Sequence, residues 1–265
     1  VHGTGSEETL EDASQGQEGM TRTSVPAERR RVVLVIDDAG SGDAVDGAVE
    51  ACIAAGTVDG VSILGSAPGA AGACRVAASA GLSVGAHLNA VEEPLLTMHP
   101  VSFARAVSGG GGAREDIERE WRAQIELLVS AGAQISRLDS HRHIHHLPGL
   151  SGLIVKLAVE YGVPGVRAAL VPDPFARPSG IFLRALARRL ARLARQASLR
   201  VPDSMAGFGV SGRLNREYLE RLRIPPGECE LVAHPATRPV WSPGQPSELS
   251  LLTSDWFAEW KNAAC

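Results

Sequence analysis

Arg31-Val32-Val33-Leu34-Val35-Ile36-Asp37-Asp38-Ala39-Gly40 is the stretch that decides the fold. Val32 to Ile36 is an unbroken apolar run in which only Leu34 is not β-branched. A strand with one wet face would alternate. A continuous run is the mark of a strand covered on both faces, as in a parallel sheet. The run stops at two aspartates and an Ala-Gly turn, so its polar residues stand at the C-terminal end of the strand. In parallel α/β proteins those ends form one rim, where residues distant in sequence meet.

The same unit repeats outward from here. Asp43 to Ala55 reads as a helix stopped by Gly56, Val58 to Leu64 as a second strand, and Pro68 to Ala80 as a helix stopped by Gly81. Leu82 to Leu88 reads as the third strand. Arg114 to Ala131 is an amphipathic helix with Ile117, Trp121, Ile125 and Leu128 on one face. Gln134 to Leu138 is a strand, Leu147 to Tyr161 a helix, Val163 to Ala168 a fifth strand, Cys229 to Ala233 a late strand and Ser254 to Asn262 a closing helix. Such βα repetition implies an α/β sheet or barrel. Gly109 to Gly112 is a glycine loop with no phosphate-loop Lys-Ser/Thr behind it.

Composition narrows the class. At 265 residues with 44% hydrophobic and 21% charged residues, the chain has the balance of one globular domain. Residues 1–30 lack clustered apolar side chains and read as a flexible surface arm, which leaves 31–265 as the domain. The arm holds no signal-peptide core, and no apolar run approaches the ~18 residues of a membrane span, so the expected location is cytoplasmic. A net charge of -4 argues against nucleic acid as a partner. Cys52, Cys74, Cys229 and Cys265 are too dispersed for a disulfide framework or a cysteine zinc site.

Polar residues fall where the rim should be: Asp37 and Asp38 after the first strand, His87 ending the third, Asp139 and His141 after the fourth, Arg167 ending the fifth and His234 after the late one. Adjacent carboxylates on a strand point to opposite sides, so one of Asp37 and Asp38 can bind a metal while the other serves as a base. The simpler alternative is a turn that caps the next helix. Asp139-Ser-His141-Arg-His143-Ile-His145-His146 is the stronger signal. If extended, it projects Asp139, His141, His143 and His145 to one side and His146 to the other, a set of donors suited to a divalent ion. A surface histidine tract that takes up metal adventitiously is the alternative. His87 by itself reads as a packing residue.

Taken together these residues resemble the YdjC-type carbohydrate deacetylases. The resemblance rests on the strand ending in Asp37-Asp38-Ala-Gly, on Val84-Gly-Ala-His87-Leu-Asn89, and on Leu138-Asp139-Ser-His141-Arg-His143-Ile-His145. Val163 to Ala168 with Arg167, and Val232-Ala-His234-Pro235-Ala236, follow in the family's order. It spans roughly residues 31 to 236, and Arg213 to Pro226 resembles the hopanoid-associated branch.

The resemblance implies an α/β fold of distorted TIM-like (β/α) barrel type in a single domain, and removal of an N-acetyl group from an amino sugar. It makes Asp38, His87 and His141 the ligands of one divalent ion, with Zn or Mg foremost and Mn, Ni or Co possible on the same donors. It makes Asp37 the general base and His234 a catalytic partner, and places Asp139, His143, Arg167 and Asn89 at the substrate. Two departures concern the cleft: Val35-Ile36 and Ala39 flank the aspartates where the family has Asn-Ala and Phe, and Asn89-Ala-Val-Glu92-Glu93-Pro94 replaces a Thr-containing loop. Two other readings use the same residues: a metallophosphoesterase, or a carbohydrate-binding protein without catalysis.

Residues 175–200 hold seven arginines and no acid, with Leu183, Leu186, Leu190 and Leu193 at helical spacing. This reads as a solvated basic face, with a membrane-surface helix or a homodimer contact as alternatives.

Overall fold

The valine-rich run is β1 (Arg30–Ala39), and it lies inside a parallel six-stranded sheet of order β4-β3-β2-β1-β6-β5. The computed structural model describes residues 29–108, 112–170 and 178–265. The expected N-terminal arm, most of the glycine loop and the first residues of the arginine-rich stretch lie outside them. Val32, Leu34, Val35 and Ile36 are all buried, as a strand with two covered faces requires. Burying each such side chain stabilises the fold by about 1.5–3 kcal/mol.

In chain order β1 is followed by α1 (Asp43–Ala54), β2 (Gly60–Leu64), α2 (Ala70–Ser79), β3 (Ser83–Leu88), α3 (Phe103–Ser108), α4 (Ala113–Ser130) and β4 (Ile135–Ser140). Then come α5 (Leu150–Glu160), α6 (Pro178–Gln196), β5 (Ser204–Ala206), α7 (Arg216–Arg221), β6 (Gly227–Ala233), α8 (Gln245–Leu252) and α9 (Asp255–Ala263). α4 buries Ile117, Trp121, Ile125 and Leu128, the face its periodicity marked. α6 buries Ala187, Leu190, Ala191 and Ala194 and leaves Arg188, Arg192 and Arg195 exposed. Its apolar stripe therefore packs inward, and among the described residues its outer face is dominated by arginine.

The barrel is a half-barrel of six strands. Val163 to Ala168, expected as a full strand, makes only the isolated bridges Leu138↔Val166 and Gly165↔Arg200. Pro164 has no N–H to give to a ladder, and its carbonyl instead accepts from Arg200 at 2.8 Å. The segment spans from β4 toward β5 by single hydrogen bonds, the last from Met205 N to the Leu170 carbonyl at 3.1 Å.

Strand alternation fails at the aspartates. β1 pairs Ile36 with Val61 and then Ala39 with Ile63, three steps against two, so a bulge falls on Asp37 and Asp38. Asp38 takes the left-handed conformation with φ 62°. The two carboxylates consequently do not point to opposite sides, because both reach His87. The turn beyond is held from two directions. Asp46 of α1 accepts the Gly40 N–H at 2.7 Å, and the Gly69 N–H donates to the Gly40 carbonyl at 3.1 Å.

That second contact leaves no space for a side chain, since a Cβ on Gly69 would sit 2.5 Å from the Gly40 oxygen. Gly69→Ala is expected to lower stability by about 1–3 kcal/mol. Gly72→Ala, where a Cβ meets nothing closer than 3.8 Å, should be neutral or stabilising. Thermal unfolding of the two variants checks this.

Candidate active site

Asp38, His87 and His141 offer ligand atoms that all lie within 4.8 Å of one another. They come from the ends of β1 and β3 and from the residue after β4. His87 Nε2 is 3.4 Å from Asp38 Oδ1, and His141 Nδ1 is 3.1 Å from the same oxygen. His87 is oriented from behind. It stands opposite Asp139 in the β3–β4 register, and its Nδ1 is hydrogen-bonded to Asp139 Oδ1. That bond leaves Nε2 facing Asp38 and His141, the way a carboxylate sets an imidazole for metal binding. The second Asp139 oxygen accepts from Ser62 Oγ at 2.6 Å.

Beneath the trio lies a buried ionic layer. Arg167, with no exposed surface, donates from Nη1 and Nη2 to the two oxygens of Asp37 at 2.7 and 2.8 Å. Its Nε donates to Glu230 Oε1 at 2.8 Å, and Nη2 lies 3.4 Å from Asp139. Arg137 Nε adds contacts to Asp139 at 3.6 Å and Glu230 at 3.4 Å. Burial alone would raise the Asp37 pKa. The Arg167 charge and hydrogen bonds, with His87 nearby, outweigh it and hold the carboxyl well below its usual range. Asp38 is likewise lowered to about 2, where burial is outweighed by the His141 hydrogen bond and the His87 charge.

The histidine tract does not stay extended. After Ser140 the chain turns into a 3₁₀ segment, His141–His146, in which Arg142 and His143 adopt left-handed φ of 54°. Only His141 joins the trio. His145 is buried, with Nε2 3.0 Å from the Arg167 carbonyl and Nδ1 2.6 Å from Ser140 Oγ. His146 Nε2 accepts from the Ala169 N–H at 2.9 Å. These two rings fasten the tract to the 167–169 segment, and burial keeps both neutral. His143 packs 4.9 Å from the Phe208 ring, with a buried Nδ1 that has no hydrogen-bond partner.

His234 follows β6 and sets Nε2 3.9 Å from Asp37 Oδ2; burial lowers its pKa, so the ring is neutral. Asn89 is buried and builds the loop after β3. It accepts the N–H groups of Val91 and Glu92 and donates to the Glu92 carbonyl at 2.7 Å. The loop delivers Glu92 Oε2 to within 3.1 Å of His141 Nε2, while its other oxygen pairs with Arg142. Asp139, Arg167 and Asn89 therefore engage neighbouring protein groups in this structure. Glu230 and Ser62 were missed from sequence, although an acid beside the apolar run Leu231-Val232-Ala233 was a signal.

The donor set fits a divalent cation. With Nδ1 bound to Asp139, a neutral His87 turns an Nε2 lone pair toward a carboxylate oxygen, an arrangement that a cation between them satisfies. Where no metal is bound a proton does so: burial would lower the His87 pKa, but Asp37 and Asp139 push it up to about 9. Formal charges agree. Asp37, Asp38, Asp139 and Glu230 face Arg137 and Arg167, leaving two negative charges uncompensated when the histidines are neutral.

A half-barrel of parallel strands with a carboxylate–imidazole cluster on its rim defines an α/β protein with a candidate metal site, and comparison with known proteins supplies its family. The model of the family described as YdjC-like protein matches residues 31–263, and the chain belongs to that family. It is 48% identical over 50 residues to a carbohydrate deacetylase of Brevibacillus brevis, covering 19% of this chain and 20% of that one. The chain thus matches only about a fifth of that relative's length. Similarity to a carbohydrate deacetylase of Mus musculus runs further, 29% identity over 248 residues and 78% of each chain. A crystal structure from Enterococcus faecalis V583, named for cellobiose-phosphate cleavage, superposes with a TM-score of 0.67 at 20% identity. It covers 89% of this chain and 95% of that chain, which establishes the fold. Among the described residues, no helix is long and apolar enough to cross a membrane.

One buried acid outside the cluster supports its frame. Glu248 of α8 accepts the His234 N–H at 2.6 Å and the Leu214 N–H at 3.0 Å, and burial pushes its carboxyl up to about 7 from 4.5. The folded state thus binds this proton more tightly than the unfolded chain. Its contribution to stability is complete below pH 4.5 and is lost as pH rises through about 7. The melting temperature of the parent relative to Glu248→Gln should fall across that window. A constant difference would refute the assignment.

Proposed function

We propose that residues 31–265 form a divalent-metal-dependent hydrolase that removes an N-acetyl group from an amino sugar or sugar conjugate. The observation that carries this reading is the convergence of Asp38, His87 and His141 beside an ionised Asp37, in a chain whose relatives are named carbohydrate deacetylases. Asp38, His87 and His141 would hold the ion, and two imidazoles with one carboxylate suit Zn or Mg, with Mn, Ni and Co also accommodated. When bound, a divalent cation polarises an amide carbonyl and acidifies water, chemistry matched to a base as weak as a salt-bridged aspartate.

The chain's own groups do the rest. Arg167 keeps Asp37 ionised and fixes its plane, so Asp37 accepts a proton from the attacking water. As the C–O bond forms and the C–N bond breaks, that proton passes to the leaving nitrogen through His234, whose Nε2 faces the same carboxyl oxygen. The second proton of the attacking water also ends on the amine nitrogen, so acetate and an ammonium leave and Asp37 is again ionised. Asp139 positions His87, and Asn89 shapes the loop that carries Glu92 to the rim. We assign the unpaired Nδ1 of His143 to substrate contact.

Metal-loaded protein should release acetate from N-acetylated amino sugars, with the activity abolished by EDTA and restored by added divalent metal. His141→Ala is expected to lose bound metal and at least ~100-fold in rate; a metal-loaded variant as fast as the parent would overturn the ligand assignment. Asp37→Asn should keep its metal content yet lose about 10²–10⁴ in kcat. Phosphate release from an aryl phosphate without any acetate would instead favour a phosphoesterase.

A further inference from the structure

Trp241 is 54% exposed and the adjacent Val240 58%, a pair of apolar side chains next to the His234 end of the site. Single exposed apolar residues are ordinary, but this one is held in place by buried groups. Gln245, 1% exposed, accepts with Oε1 the successive N–H groups of Val240, Trp241 and Ser242 at 2.9, 3.1 and 3.2 Å. Its Nε2 donates to the His234 carbonyl at 3.2 Å, so one amide side chain ties the tryptophan loop to the catalytic histidine's backbone. The far edge of the indole rests on Gly212 (φ 65°), where a Cβ would come within 2.9 Å of Trp241 Cη2. Ser242 Oγ closes the seat by donating to the Gly212 carbonyl at 3.0 Å.

From that seat the indole meets the His234 ring edge-to-face at 5.7 Å. His234 in turn faces Asp37 at 3.9 Å. The exposed aromatic surface therefore continues directly from the reacting groups. A fixed indole presents a large flat area at little entropic cost, the property that makes tryptophan an effective contact residue. The apolar C–H face of a pyranose ring is the complementary surface, whereas the cationic and anionic groups of the cluster offer it nothing.

We propose that Trp241 is the stacking platform for the sugar unit adjoining the one that bears the N-acetyl group. The site is accordingly built for a glycan of more than one ring. This rests on the deacetylase reading above and extends it to the class of substrate.

The test uses the full chain loaded with metal and N-acetylglucosamine oligomers of one to three units as probes. The parent should bind the longer oligomers more tightly than the single sugar and show a change in indole fluorescence on doing so. Trp241→Ala should weaken binding of the longest probe about tenfold, remove the gain with length and abolish the fluorescence change, while Trp241→Phe recovers most of the affinity. In kinetics, the loss should appear chiefly in KM. Equal binding of the longest probe by parent and Trp241→Ala, or no gain with length in the parent, would overturn the platform. Acetate release judges the other reading separately: a parent that binds oligomers through Trp241 but deacetylates none would refute the reaction and uphold the platform.

Discussion

A guanidinium without any contact with solvent organises this molecule. Arg167 lies on a segment with only fragments of a ladder to hold it, yet it joins Asp37 of β1, Asp139 of β4 and Glu230 of β6. Isolating one partner of such a buried group costs about 3–5 kcal/mol, so the three acids are not independent choices. The planar fork of arginine matters here, because Asp37 is gripped through both oxygens and cannot rotate. The arrangement draws the curved sheet together where regular pairing has lapsed. It also places a carboxylate held in its ionised form next to the candidate metal cluster.

Above that layer each member of the Asp38–His87–His141 trio is set by a different local device. His87 is fixed by a cross-strand partner, Asp139, in register with it. Asp38 owes its direction to a bulge and a left-handed backbone, a strained state that persists because Gly40 and Gly69 touch backbone to backbone. His141 depends on the turn that follows it, which His145 and His146 pin to the chain beyond Arg167. The histidine-rich tract thus gives one ring, His141, to the candidate metal site and two, His145 and His146, to structural fastenings.

Much of this was legible in the sequence. The unbroken run Val32 to Ile36 showed a strand covered on both faces, and the spacing of Ile117, Trp121, Ile125 and Leu128 showed which side of α4 packs. The rim rule located Asp38, His87 and His141 together because it depends only on where strands end. What failed were the inferences that carried regular alternation past the strand ends, where the backbone turns left-handed. Alternation misplaced the aspartates because one φ changed sign, and it misplaced His143 and His145 for the same reason at Arg142 and His143. Glu230 and Ser62 escaped notice because their roles are defined by partners on other strands. The seat of Trp241 involves Gly212 and Gln245, which no local pattern connects.

The pairing of β1 with β6 has a consequence for how the protein comes into being. β1 is synthesised early, but one of its two neighbours in the sheet, Gly227–Ala233, follows almost two hundred residues later. Until then a long, flat apolar strand has an open edge, and Arg167 lacks Glu230. Closing so large a loop is slow, and such edges invite association with other chains in the interval. The rim is therefore complete only once β6 has been made. A chain cut short before β6 holds five of the sheet's six strands and the whole Asp38–His87–His141 trio, but neither Glu230 nor His234.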